Sequence, residues 1–161
     1  MTTALYAGSF DPFTNGHMEI LKSGAEIFDK VIIAIAYNAS KQSFLPISVR
    51  KELIEKYVKD LKNVEVEIFD GLTVDFAKKC KATVLLRGVR SNSDYEYENQ
   101  LANVNYKLNP KIRTVLLSSS PEYSFISSSA VKEILQNNGD ISAFVPKEVE
   151  KYLKLMIKND I

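Results

Sequence analysis

Residues 31–37 read VIIAIAY. The run is apolar and rich in β-branched side chains, with no alternation of hydrophobic and polar positions. A strand with one wet face alternates, whereas a strand covered on both faces reads as this one does. Such strands belong to parallel sheets, whose crossover helices lie on both sides. The run is also far too short to cross a bilayer.

The pattern continues on either side. Upstream, ALYAG (4–8) is consistent with a strand, and Asn15-Gly16 reads as a turn. Beyond it Ile20, Leu21, Gly24, Ala25 and Phe28 mark one face of a helix. Downstream, Pro46 suits the first turn of a helix striped by Leu53, Ile54, Tyr57, Val58 and Leu61. VEVEIF (64–69) predicts a strand, Thr73 to Cys80 a short helix, and ATVLL (82–86) another strand. Tyr97, Leu101, Val104 and Leu108 predict a helix that Pro110 closes, and TVLLS (114–118) a fifth strand. Ala130, Val131, Ile134 and Leu135 begin a helix that Gly139 ends. Val149, Tyr152, Leu153, Met156 and Ile157 make the last amphipathic one. The expected fold is therefore α/β: one domain over residues 1–161, built on a doubly wound five-stranded parallel sheet with C-terminal helices.

Bulk properties narrow the function. A chain of 161 residues supports one proper core. Its 21 Lys and Arg against 20 Asp and Glu leave a net charge of +1, which gives no support to bulk binding of nucleic acid or an anionic membrane. An anion site must then be a local cluster. The single cysteine, Cys80, excludes an intrachain disulfide and follows Phe76 and Ala77 at helical spacing, as a small buried hydrophobe does. The opening MTTALYAGSFD has no basic segment of the secretory kind, so a soluble cytoplasmic setting is expected.

In open α/β sheets, ligands bind beyond the carboxyl ends of the strands, where strand order reverses. Chemistry-bearing residues collect after each predicted strand: Ser9, Phe10 and the only histidine, His17; then Lys41; then Thr73; then Arg87 and Arg90; then SSSPEYSFISSS (118–129). Three cations in a nearly neutral chain, with helix N-termini beside His17 and at Ser127–Ser129, suit a ligand carrying several phosphates. Gly8 and Gly16 permit close backbone approach. His17 is placed to lean over the strand ends as a hydrogen-bond donor to a reacting phosphate, not as a base with a partnered carboxylate. No GxxxxGK[ST] or GxGxxG is present, one His and one Cys make a poor metal cage, and Ser9, Asp11 and His17 lack the GxSxG elbow of a hydrolase.

GSFDPFTNGH (8–17) resembles the (H/T)xGH segment of the nucleotidyltransferase superfamily, and YSFISSSAVKE (123–133) its ISSS segment. LLRGVRSNSDYEYENQLANVN (85–105) is similar to the phosphopantetheine adenylyltransferase version of the loop between them. The resemblance spans nearly the whole chain. It implies a Rossmann-like fold and direct in-line transfer from ATP to 4′-phosphopantetheine with Mg²⁺, giving 3′-dephospho-coenzyme A and pyrophosphate in a homohexamer. Carried over by position, Ser9, Lys41, Thr73 and Arg87 hold phosphopantetheine, with Lys41 and Arg87 on its phosphate. ATP would meet Ser9, Phe10, His17, Gly88, Val89, Arg90 and Glu98, together with Tyr123, Ser124, Phe125, Ile126, Ser127, Ser128 and Ser129. His17 would stabilise the pentavalent α-phosphate. Ser9 stands where threonine is common, Gly71 where an acidic residue is usual, and Tyr123 where tryptophan is frequent. Rival readings are transfer to another phosphate acceptor, such as nicotinamide mononucleotide, and a regulatory module that binds ATP without turnover.

Overall fold

The computed structural model describes residues 1–38, 40 and 42–159. Strands and helices alternate: β1 (Thr3–Gly8), α1 (Asn15–Ile27), β2 (Lys30–Ala36), α2 (Ile47–Val58), β3 (Val64–Phe69), α3 (Thr73–Lys79), β4 (Val84–Val89), α4 (Asn92–Leu108) and β5 (Arg113–Ser118). Two more helices, α5 (Ser128–Gln136) and α6 (Lys147–Asn159), complete the chain. The strands form one parallel sheet in the order β3-β2-β1-β4-β5.

VIIAIAY is covered on both faces, as its composition requires. Val31, Ile33 and Ile35 join Ala4, Tyr6, Leu21 and Ile54 beneath α1 and α2. Ile32 and Ala34 join Leu5, Ala7, Val74 and Ala77 on the opposite face, under α3. Each fully buried Ile or Leu contributes about 1.5–3 kcal/mol, so burial on both faces of the two inner strands β1 and β2 anchors the sheet. A third cluster binds α2 to the C-terminal helices through Leu53, Val131, Leu135, Val149 and Leu153. Gly24 lets α1 lie close to the sheet: a Cβ there would sit 2.5 Å from Leu86 Cδ2.

Four local expectations change. Asn15-Gly16 is no turn: Thr14 is the N-cap of α1, and both residues lie in its first turn. The fourth strand runs past Leu86 to Val89, because Arg87, Gly88 and Val89 continue the ladder opposite Leu116, Leu117 and Ser118. Helix α5 ends on a left-handed Asn138 (φ 57°), not on a left-handed glycine. The Gly139 N–H then returns to the Ile134 carbonyl at 2.8 Å, and a Cβ at Gly139 would strike Ile134 Cγ2. Finally, the stripe on α4 does not face the core. Tyr97, Val104 and Leu108 are 63, 55 and 54% exposed, and the one buried residue of α4 is Glu98.

Candidate active site

The chain lays β2 and β3 to one side of β1, and β4 and β5 to the other, so strand order reverses between β1 and β4. Beyond the carboxyl ends of these two strands lies a cleft of about 380 Å³. Gly8 and Ser9 enter it from β1, Arg87 and Gly88 from β4, and Ser127–Ser129 from the start of α5.

His17 occupies the third position of α1 and closes a capping box in which an imidazole replaces the usual Glu or Gln. The Thr14 N–H donates to His17 Nδ1 at 3.0 Å, while the His17 N–H donates to Thr14 Oγ1 at 3.3 Å. A backbone N–H can only donate, so Nδ1 is an acceptor and the ring proton sits on Nε2. The ring packs edge-on against Phe10 and tilted against Phe13, with centroids 5.1 and 5.5 Å away. Burial among these rings, reinforced by Arg90 and Arg87, pushes its pKa down to about 4. At neutral pH His17 is an uncharged Nε2–H donor lining the cleft. Phe10 takes a positive φ of 47°, a strained conformation for an aromatic residue, and it carries the ring that backs the imidazole.

Both arginines are pre-oriented. Arg87 grips the buried Glu98 through two hydrogen bonds, Nε to Oε2 at 2.7 Å and Nη2 to Oε1 at 2.6 Å, and donates from Nη1 to the Ala7 carbonyl. Burial opposes its charge, but the bonds it donates to Glu98 and the charge of that carboxylate more than offset this and hold the guanidinium above its usual pKa. Arg90 donates through Nε to Asp94 at 2.9 Å and through Nη1 to the Ile126 carbonyl at 3.0 Å, which ties the end of β4 to the ISSS segment. Gly88 needs no unusual φ; its missing Cβ makes room for Ile20 of α1, whose Cγ1 would lie 2.8 Å away.

The three serines divide their work. Ser127 caps α5 by accepting the Ala130 N–H at 3.1 Å. Ser128 Oγ donates to the Pro12 carbonyl at 2.7 Å, locking the helix start to the loop after β1. Ser129 lines the cleft beside the free N-terminus of α5.

Of the residues singled out from the sequence, Ser9, Phe10, His17, Arg87, Gly88, Arg90, Glu98, Ile126, Ser127, Ser128 and Ser129 line this one cleft. Thr73 opens α3 beyond β3, farther along the same rim. Val89 ends β4, and Tyr123, Ser124 and Phe125 lie in the turn leading to Ile126 without lining the cleft itself. Phe125 is 64% exposed and stands edge-on to Phe144. Lys41 lies outside the described residues. Thr14 and Asp94 escaped notice in the sequence, although both carried a signal. Thr-x-x-His is a capping box with one letter changed, and Arg90-x-x-x-Asp94 has the spacing of a helical ion pair.

The model of the cytidylyltransferase-like family matches residues 5–134. A phosphopantetheine adenylyltransferase of Caldanaerobacter subterraneus subsp. tengcongensis is 50% identical over 153 residues, covering 95% of this chain and 96% of the relative. The enzyme of that name from Clostridium beijerinckii is 48% identical over 149 residues, covering 92% and 94%. Among solved structures, a bifunctional NMN adenylyltransferase/ADP ribose pyrophosphatase from Francisella tularensis superposes with a TM-score of 0.74 at 14% identity. That match covers 98% of this chain and 49% of the other, and it speaks for the fold alone.

Proposed function

The chain belongs to the phosphopantetheine adenylyltransferase family, and on that premise we propose how its residues carry out the reaction. The enzyme transfers an adenylyl group from ATP to 4′-phosphopantetheine, giving 3′-dephospho-coenzyme A and pyrophosphate in coenzyme A biosynthesis. One observation carries the assignment of roles. A neutral imidazole donor, two clamped arginines and the N-terminus of α5 converge on the cleft where strand order reverses.

The triphosphate of ATP lies against the α5 N-terminus and Arg90, where helix N–H groups and a guanidinium offset its charge. Ser9, Lys41 and Arg87 hold the acceptor phosphate. An oxygen of that phosphate forms the new bond to the ATP α-phosphorus, in line with the bond that breaks, and pyrophosphate leaves. His17 Nε2–H donates to a non-bridging α-phosphate oxygen, whose charge peaks in the pentavalent state. The enzyme forms no covalent intermediate, and the locked Nδ1 of His17 is unavailable as a base. Neighbouring strands are spaced about 4.8 Å apart, so the loop after β3 that carries Thr73 lies roughly 10 Å from the end of β1. That separation suits an acceptor with a long arm extended along the rim, as the pantetheine chain is.

Both cleft carboxylates are committed, Glu98 to Arg87 and Asp94 to Arg90, and no group of three or more potential metal ligands occurs among the described residues. We therefore propose that Mg²⁺ arrives with ATP, held mainly by phosphate oxygens and water, as magnesium commonly is. The apolar side of α4, exposed at Tyr97, Val104 and Leu108, supports burial between subunits of a homohexamer. No helix among the described residues is long and apolar enough to cross a membrane, and we propose a cytoplasmic setting.

Purified protein incubated with ATP, Mg²⁺ and either phosphopantetheine or nicotinamide mononucleotide tests the reading. The expected result is pyrophosphate and a product with the mass of dephospho-coenzyme A from the first acceptor only. Turnover of the second alone would overturn it.

A further inference from the structure

Arg50, in the first turn of α2, is 4% exposed, yet no carboxylate lies within ion-pair distance of it among the described residues. A guanidinium cannot shed its proton to escape burial, so a buried one without a counter-charge persists only where it holds something in place. Its Nη1 donates to the carbonyl of Ser9 at 2.7 Å, and its Nη2 to Ser43 Oγ at 3.2 Å. Its Nε is buried without a partner. The fork thus spans two loops: the one that leaves β1 with Ser9, and the one that leaves β2 with Lys41, two residues before Ser43.

A second clamp joins the same two loops. Asp11, also buried, accepts the N–H of Phe44 at 2.7 Å and of Leu45 at 2.8 Å. Ser9 and Asp11 of the first loop are thus tied to Ser43, Phe44 and Leu45 of the second through one buried basic and one buried acidic side chain.

We propose that Arg50 is a positioning residue for the acceptor phosphate: by tying the Ser9 carbonyl to Ser43 it fixes the loop after β1 against the segment that leads into α2, and so sets where Ser9 meets that phosphate. The proposal rests on the assignment of that phosphate to Ser9, Lys41 and Arg87. Arg50 touches neither substrate and acts through Ser9 and Ser43. Its two hydrogen bonds reach neither Arg90 nor α5, the groups set against the triphosphate.

The test compares wild type, Arg50→Lys and Ser43→Ala by steady-state kinetics, and by calorimetric titration with phosphopantetheine and ATP separately. Lysine keeps the charge but cannot fork to both partners. Ser43 is exposed, so its truncation leaves the core intact. The expected result is a rise in the KM and Kd for phosphopantetheine of about tenfold in Arg50→Lys and about threefold in Ser43→Ala, the scale of one or two lost hydrogen bonds. The ATP constants and kcat at saturation stay within about twofold. Should Arg50→Lys fail to fold, Ser43→Ala decides alone. Unchanged phosphopantetheine binding in the folded variants, or equal weakening toward both substrates, overturns the proposal. Failure of the wild type to bind phosphopantetheine is a different result and removes the functional reading instead.

Discussion

The proposed mechanism gives His17 a second task beside its cap, and two substitutions pull the two apart. His17 Nδ1 accepts the Thr14 N–H and completes the cap of α1; in the proposed mechanism its Nε2–H donates to the reacting phosphate. His17→Ala removes both. Loss of a donor aimed at transition-state charge lowers kcat by about 10²–10³, with little change in ATP affinity. Loss of the cap acceptor costs about 1 kcal/mol, which lowers Tm by roughly 2–4 °C in a chain of this size. His17→Glu restores the ordinary capping-box residue, whose carboxylate accepts the same N–H and is favoured by the helix N-terminus. Arg87 and Arg90, which depress the imidazole pKa, favour that carboxylate too. Glutamate, however, has nothing to donate and sets a negative charge against the phosphates. The two variants therefore fall in opposite orders: Glu above Ala in Tm, Glu at or below Ala in kcat. Thermal melts and pyrophosphate-release kinetics on the same preparations read both scales. If activity rises with stability from Ala to Glu, the imidazole acts only as a cap and the transition-state role is wrong.

Arg87→Ala should weaken phosphopantetheine binding far more than ATP binding, measured by titration. Because it strands the buried Glu98 carboxylate, it should also cost about 3 kcal/mol in urea unfolding. A larger loss for ATP than for phosphopantetheine would mean that the two phosphate sites are exchanged. The low pKa of His17 links stability to pH. Its contribution is whole above about pH 6.5, where the folded and unfolded chains are both neutral there, and it is lost as pH falls toward about 4, by about 3 kcal/mol in all. Urea midpoints between pH 7 and 4 should fall less steeply in His17→Ala; parallel curves would show the imidazole to be unperturbed. Gly24→Ala should destabilise the protein by about 1–3 kcal/mol, because the new methyl meets Leu86 in the packed core. An unchanged Tm would show that α1 and the sheet have slack between them.

What the sequence made legible follows from periodicity. VIIAIAY declared two covered faces, and the two clusters that receive its alternate side chains account for the reading. VEVEIF coincides with β3 at both ends. The end of β4 was hidden because Arg87 and Gly88 are poor strand formers, and only their pairing with Leu116 and Leu117 keeps them in the ladder. The α4 stripe shows a different limit. Spacing gives the phase of an apolar face, but not what lies over it, and here the sheet receives Glu98 while Tyr97 points outward. The site was legible as a set of loops because a parallel sheet sends every strand's end to one rim. The cap on His17 and the Asp94 clamp are local pairs whose spacing was there to be read, whereas the Arg50 fork joins residues 41 apart and is a tertiary arrangement of ordinary residues.

A nearly neutral chain that binds a triphosphate faces a conflict. Free arginines attract phosphate strongly but wander, and fixing them at the moment of binding costs entropy. Here each cleft arginine has its own carboxylate: Glu98 for Arg87 and Asp94 for Arg90. The pairing neutralises part of the field and in return fixes the fork before the substrate arrives. Arg87 commits three of its five N–H groups to Glu98 and Ala7, leaving two for a phosphate in a set direction. In the proposed mechanism the missing attraction comes from groups that need no counter-charge: the N–H groups at the start of α5 and the neutral imidazole of His17. Keeping His17 uncharged serves the same end. A cationic imidazole would bind ground-state ATP tightly, whereas a neutral donor gains most where charge grows, at the pentavalent phosphorus.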